Sequence, residues 1–148
     1  MEVIMFIGIP GSGKSTFYFE RFAATHLRIN RDMLGTRHRE HSLFRWCLDH
    51  EQSCVLDNTN TTRAIREPLL QAALEKGVKF KGYFFQSRIR ECLERNRLRT
   101  GAAKLPDLAV RDHHARIELP TPTEGFTSLH FVRLTAEGIL TEPWLHEI

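Results

Sequence analysis

The stretch Gly8-Ile9-Pro10-Gly11-Ser12-Gly13-Lys14-Ser15-Thr16 constrains this chain more than any other. It matches G-x-x-x-x-G-K-[ST], the P-loop, and follows an apolar run, Val3-Ile4-Met5-Phe6-Ile7, that reads as a buried strand. Glycines let backbone N–H groups turn inward and cradle phosphate oxygens. Lys14 brings a point charge to the β- and γ-phosphates, and the Ser15 hydroxyl is a ligand for Mg²⁺. A helix starting near Lys14 aims its positive dipole end at the same phosphates. Gly11, Ser12, Gly13, Lys14, Ser15 and Thr16 are thus the expected binding set for ATP or another nucleoside triphosphate. An ordinary glycine-rich turn leaves Lys-Ser at a helix start unexplained.

A chain of 148 residues suits one compact domain, expected to span 1–148. No apolar run approaches the roughly 20 residues of a membrane span. The first strand begins at once after Met1, so no signal peptide is expected. Cys47, Cys54 and Cys92 form no C-x-x-C pair. Their odd number and scatter point to reduced thiols and a cytoplasmic setting. The eight histidines lack metal-ligand spacing, and His113-His114 read as surface residues of a helix. A net charge of +3 favours an anionic partner.

Strands are expected at 3–8, 27–30, 53–57, 79–85 and 128–134. Helices are expected at 14–24, within 31–50, and at 62–76, 88–100 and 107–118. Pro68 falls inside the third of these, which predicts a late start or a kink near Glu67. Residues 101–106 read as a mobile loop, and the residues after Leu134 as irregular. Strands alternating with helices predict an α/β fold: a doubly wound parallel sheet with helices on both faces, of P-loop kinase type.

Ligands of such sheets bind outside the carboxyl ends of the strands. The P-loop follows strand one, Asp32 follows strand two and Asp57 ends strand three. Asp57 suits an anchor for Mg²⁺ or its water. Its alternative is a turn residue beside Asn58. Asp32 is either a base for an acceptor hydroxyl or a helix N-cap. Farther along, Arg88, Arg90, Arg95, Arg97 and Arg99 fall within twelve residues. Arg95 and Arg99 share a helix face and precede the loop, as in a lid around 88–106 that closes cations over phosphates. The alternative is a solvated helix, with Glu91 and Glu94 pairing some of these charges.

Together these residues resemble the kinase domain of the polynucleotide 5′-kinases. The resemblance runs from the P-loop to about Arg133. It rests on the P-loop, Asn30-Arg31-Asp32-Met33-Leu34-Gly35, Leu56-Asp57-Asn58-Thr59-Asn60, and Arg95-Asn96-Arg97-Leu98-Arg99 with Leu105-Pro106. Pro120-Thr121-Pro122-Thr123-Glu124-Gly125-Phe126 resembles the late segment of the animal members. The resemblance implies transfer from ATP with Mg²⁺ to 5′-hydroxyl ends of nucleic acid, with Asp32 as general base. It implies that Arg95 and Arg99 are lid arginines, and that Arg39 grips the acceptor's phosphate. Phage members carry that arginine closer to the Asp, where this chain has Gly35, which leaves Arg37 and Arg39 competing for the role. Asp57 belongs to the same candidate acceptor and metal set. No phosphatase-like region is visible. The rival readings are a P-loop kinase of a small hydroxyl compound and a non-catalytic nucleotide switch.

Overall fold

Alternate residues of the opening strand face opposite ways, and both sets are buried: Val3, Met5 and Ile7 on one side, Ile4 and Phe6 on the other. Such a strand lies inside a sheet covered on both faces. The computed structural model describes residues 1–144, apart from the side chain of Ala102. Its elements run β1 (Glu2–Ile7), α1 (Lys14–Arg21), β2 (Leu27–Ile29), α2 (Arg31–Leu34), α3 (Arg37–Asp49), β3 (Cys54–Leu56), α4 (Arg63–Glu75) and β4 (Lys79–Phe85). They continue with α5 (Ile89–Arg97), α6 (Asp107–Arg116), β5 (Ser128–Thr135) and β6 (Gly138–Pro143). The sheet order is β2-β3-β1-β4-β5-β6. Every neighbouring pair is parallel except β5–β6.

On one face Val3, Met5 and Ile7 join a core with Phe44 and Leu48 of α3 and Leu70 and Ala73 of α4. On the other, Ile4 and Phe6 meet Phe17 and Tyr18 of α1. The Phe6 ring sits 5.5 Å from Phe17 and 5.0 Å from Phe85, centroid to centroid. Burying each ring contributes about 1.5–3 kcal/mol. The parallel crossovers thus place helices on both faces, as the alternation of elements predicts. They also bring the carboxyl ends of β1, β2 and β3 side by side.

Local chemistry moves several boundaries. The segment 31–50 splits into two helices because Gly35 takes φ +86° and Thr36 then caps α3, accepting from the Arg39 N–H at 3.2 Å. The late start expected near Glu67 does not occur: α4 begins at Arg63. Thr62 caps it by accepting from the Ile65 N–H, and the helix runs through Pro68. A proline inside a helix costs about 3 kcal/mol, which packing of Leu70 and Ala73 into the core offsets here. The residues after Leu134, expected to be irregular, instead continue β5 and form β6. The connecting loop is Ala136-Glu137, with Thr135 paired to Gly138. Neither loop residue is Gly, Asn or Asp, so the sequence carries no hairpin signal. The final residues 145–148 of that expected irregular segment lie outside the described residues.

Candidate active site

The loop between β1 and α1 is built around two left-handed glycines, Gly11 at φ +84° and Gly13 at φ +99°. A Cβ at Gly11 would lie 2.3 Å from the Cys92 carbonyl oxygen, and one at Gly13 would lie 2.7 Å from Leu134 Cδ1. Glycine is therefore required both by conformation and by the approach of α5 and β5. The buried Ser12 Oγ has no hydrogen-bond partner among the described residues. Lys14 Nζ folds back to donate to the Gly8 and Ile9 carbonyls, both at 2.9 Å. Burial pushes its pKa down to about 8, against the opposing pull of Asp57. A cradle of turned backbone, an unmet hydroxyl and a desolvated cation fit a triphosphate.

This geometry has a measurable consequence. Above about pH 8 the free protein holds Lys14 uncharged. A polyanion beside it raises that pKa again, so nucleotide binding at pH 9 takes up a proton and affinity falls as pH rises through 8. Calorimetry in two buffers of different ionisation enthalpy measures the uptake. Lys14→Ala abolishes it, and zero uptake by the unsubstituted protein would remove Lys14 from the phosphate site.

Ser15 and Asp57 converge on one guanidinium. Arg28 Nε donates to Asp57 Oδ2 at 2.7 Å, and Arg28 Nη2 donates to Ser15 Oγ at 2.9 Å. Two hard oxygen donors gathered round one positive charge fit Mg²⁺, which takes such ligands together with phosphate oxygens and water. No motif marks Arg28 in the sequence. Its guanidinium also lies 5.3 Å from the Phe19 ring centroid, a cation–π contact that gives the exposed Phe19 a role outside the core.

On the acceptor side, the structure separates Asp32 from the capping role. Asn30 is the N-cap of α2: its Oδ1 accepts from the Met33 N–H at 3.1 Å, and its Nδ2 donates to the Asp57 carbonyl at 2.7 Å. Asn58 Oδ1 accepts from the Arg31 N–H at 2.9 Å. Arg31 pairs with Glu40, Nε to Oε1 at 2.6 Å. Asp32 is left exposed, with no hydrogen bond or ion pair among the described residues. Asn60, at φ +44°, donates to the Phe6 carbonyl at 2.8 Å and ties the end of β1 to the loop after β3. The Asn-Arg-Asp and Asp-Asn-Thr-Asn signatures thus brace one another across the strand ends.

Of the two arginines competing for an acceptor phosphate, Arg37 lines the cavity described below, and Arg39 does not. Arg39 Nη1 donates to the Leu34 carbonyl at 3.1 Å. That nitrogen stands 3.7 Å from the point where a Cβ on Gly35 would sit. Its charge therefore stands beside Gly35, at ordinary contact distance from where a Cβ would lie.

The Arg-rich helix divides its charges. Arg95 Nη1 donates to the Gly11 carbonyl at 2.8 Å, which pins α5 to the P-loop. Arg97 pairs with Asp107 at 2.8 Å, and Arg88 with Glu91 at 3.6 Å. Among the described residues Arg99 makes one long contact, Nη1 to the Ala103 carbonyl at 3.5 Å, and it lines the cavity. The segment expected as a mobile loop holds a 3₁₀ turn at Gly101–Ala103. Its far end is clamped by buried Asn96, which exchanges two hydrogen bonds with Leu105, at 2.6 and 3.0 Å. His113 also departs from its expected surface position. It is half-buried, and lines the cavity from α6. Burial, then Arg116 and Lys14, holds its imidazole below the usual range.

One cavity of about 660 Å³ gathers Lys14, Ser15, Asp32, Arg37, Asp57 and Arg99. An adjoining hollow is lined by Ser15, Thr16, Arg28, Asp32 and Arg99. Arg95 lies outside this lining, on the P-loop backbone.

Comparison with known proteins agrees with this architecture. The profile of a family described as an AAA domain matches residues 3–120. The bifunctional polynucleotide phosphatase/kinase of Schizosaccharomyces pombe is 30% identical over 135 residues, which are 88% of this chain and 33% of that protein. The chain thus spans about a third of the length of that curated relative. Among solved structures, Chaetomium thermophilum Kti12 in complex with ADP-AlF3 superposes with a TM-score of 0.67 at 16% identity, over 88% of each chain. A gluconokinase from Sinorhizobium meliloti gives 0.61 at 19% identity, over 89% of this chain and 82% of its own. The fold is of the P-loop kinase type.

Proposed function

We propose that this chain, which belongs to the AAA domain family, is an ATP- and Mg²⁺-dependent kinase acting on the 5′-hydroxyl ends of DNA or RNA. The observation that carries the kinase reading is Asp32, exposed and unpaired among the described residues, in one cavity with Lys14 and Arg99. A nucleotide switch needs no such carboxylate. The polynucleotide acceptor is supported by the similarity to the Schizosaccharomyces pombe phosphatase/kinase across 88% of the chain.

ATP supplies the γ-phosphoryl group, whose transfer spreads negative charge over its equatorial oxygens. Lys14 and Arg99 present positive charge to that region. Arg95 holds the P-loop backbone in place rather than reaching the phosphates directly. Ser15 and Asp57 would hold Mg²⁺, which would supply positive charge to the phosphate oxygens. Asp32 accepts the proton of the attacking hydroxyl. Incubation with labelled ATP, Mg²⁺ and 5′-hydroxyl oligonucleotides, beside nucleosides and gluconate, tests the reading. Label at the 5′ end supports it, and label only on a free nucleoside or sugar acid overturns it.

Arg39 refines the expectation. Its guanidinium stands beside Gly35, at the end of the helix that carries Asp32. A nucleoside 3′-monophosphate is then a far better acceptor than the bare nucleoside, because its phosphate gains a charge-assisted contact. Arg39→Ala erases that preference and leaves ATP binding unchanged. If Arg37→Ala erases it instead, the cavity-lining arginine holds the phosphate. Equal use of both acceptors by the unsubstituted protein would argue against a nucleic-acid substrate.

A further inference from the structure

We propose that the cleft between α3 and α4 is a nucleobase subsite, which takes the terminal base of the acceptor strand. The proposal rests on the polynucleotide reading and adds how the strand end is recognised. The cleft belongs to the same cavity as Asp32 and Lys14. Its α4 wall is formed by Ala64, Ile65 and Pro68, with His41 and Phe44 of α3 also lining it.

Two features of α4 are unexplained by folding. Ile65 is 47% exposed and joins none of the core clusters of the described residues. Pro68 sits inside the helix, where it has no N–H to give. The Ala64 carbonyl, four residues earlier, therefore loses its helical donor, and Ala64 and Pro68 both line the cavity. The wall offers an apolar surface and a backbone acceptor with a spare valence. A nucleobase with an exocyclic amine has the complementary surface: an apolar face and a donor edge. A sugar hydroxyl could also donate to that carbonyl, but a sugar ring lacks the flat apolar face that would cover Ile65 and Pro68.

The test crosses a change in the protein with a change in the acceptor. Two 5′-hydroxyl dinucleotides are compared, one with its 5′ base and one abasic there. In the unsubstituted protein the abasic acceptor raises KM roughly tenfold, the size of a lost stacking contact. Ile65→Ser raises KM for the normal acceptor several-fold and leaves KM for the abasic one, kcat and the KM for ATP unchanged. Ile65 is half-exposed, so its removal leaves the fold intact, as a melting curve verifies. Equal KM values for the two acceptors, or an equal loss with both on Ile65→Ser, overturns the subsite. If neither acceptor is phosphorylated, the polynucleotide reading itself falls and the subsite with it. The carbonyl has its own readout. Acceptors ending in A or C bind better than those ending in T, and Pro68→Ala, which restores the helical donor to Ala64, removes the difference. No preference among terminal bases would overturn the role of the Ala64 carbonyl.

Discussion

Asp32→Asn lowers turnover by roughly 10²–10⁴-fold and leaves the melting temperature nearly unchanged. The two halves of this expectation come from different atoms. The amide keeps the size and polarity of the side chain but cannot take a proton from an acceptor hydroxyl. Stability is spared because Asn30, not Asp32, caps α2, and because the Asp32 carboxylate has no partner to lose among the described residues. The remaining loss is its interaction with the first turn of a four-residue helix, below about 1 kcal/mol. Asn30→Ala gives the opposite pattern of causes. It removes the cap and the hydrogen bond to the Asp57 carbonyl, so both stability and activity fall. Steady-state kinetics and thermal unfolding of the two variants distinguish a base from a brace. Full activity in Asp32→Asn would leave the residue without a chemical role.

Arg66→Met is expected to cost about 3–5 kcal/mol of stability, the largest single effect away from the cavity. The Arg66 side chain is wholly buried. Its Nε and Nη2 donate to the two oxygens of Glu124, at 2.9 and 3.2 Å. Nη1 is shared among the carbonyls of Asn60, Thr61 and Glu118, at 3.0, 3.2 and 3.1 Å. The Glu124 side chain, 3% exposed, also accepts from the Thr121 N–H at 2.8 Å. Methionine fills much of the volume but leaves the buried carboxylate with only the Thr121 N–H, and takes the guanidinium from three carbonyls, of which Thr61 keeps the Glu118 N–H at 2.7 Å. Denaturant unfolding measures the loss. Adding Glu124→Leu recovers part of it, because the uncompensated charge is gone while the Asn60 and Glu118 carbonyls still lack the guanidinium. A cost below about 1 kcal/mol for the single variant would mean that water replaces the guanidinium. Nucleotide binding is expected to suffer as well, since the Thr59 carbonyl accepts from the Gly8 N–H at 3.1 Å and the Arg66 contacts begin one residue later.

The late segment Pro120–Phe126 shows why part of this molecule is legible in its residues and part is not. Its prolines mark an extended stretch, and Thr121 with Glu124 forms a capping box around the turn at Pro122–Glu124. Those are contacts over three residues. That Glu124 then meets an arginine 58 positions earlier depends on the crossover carrying the chain over the sheet. The same division runs through the candidate site. The P-loop, the Asp at the end of β3 and the Asn-Arg-Asp run could be placed at one edge of the sheet from periodicity alone. Which of Asn30 and Asp32 capped the helix could not, because both are good caps and the choice turns on Asn30 also reaching the Asp57 carbonyl.

By itself the sequence determined the alternation of strands and helices, the doubly wound parallel sheet, the P-loop at the mouth of β1 and the acidic residues beside it. Each of these follows from interactions within a few residues: the pleat period, the conformational freedom of glycine, capping and side-chain burial. Tertiary structure decided that Arg28 lies between Ser15 and Asp57. It placed Arg39 beside Gly35, pinned Arg95 to the P-loop backbone and turned His113 toward the cavity. It also paired β6 with β5 across a loop without a turn signal. A guanidinium or imidazole has many partners open to it along a chain. Only the approach of segments distant in sequence removes all but one.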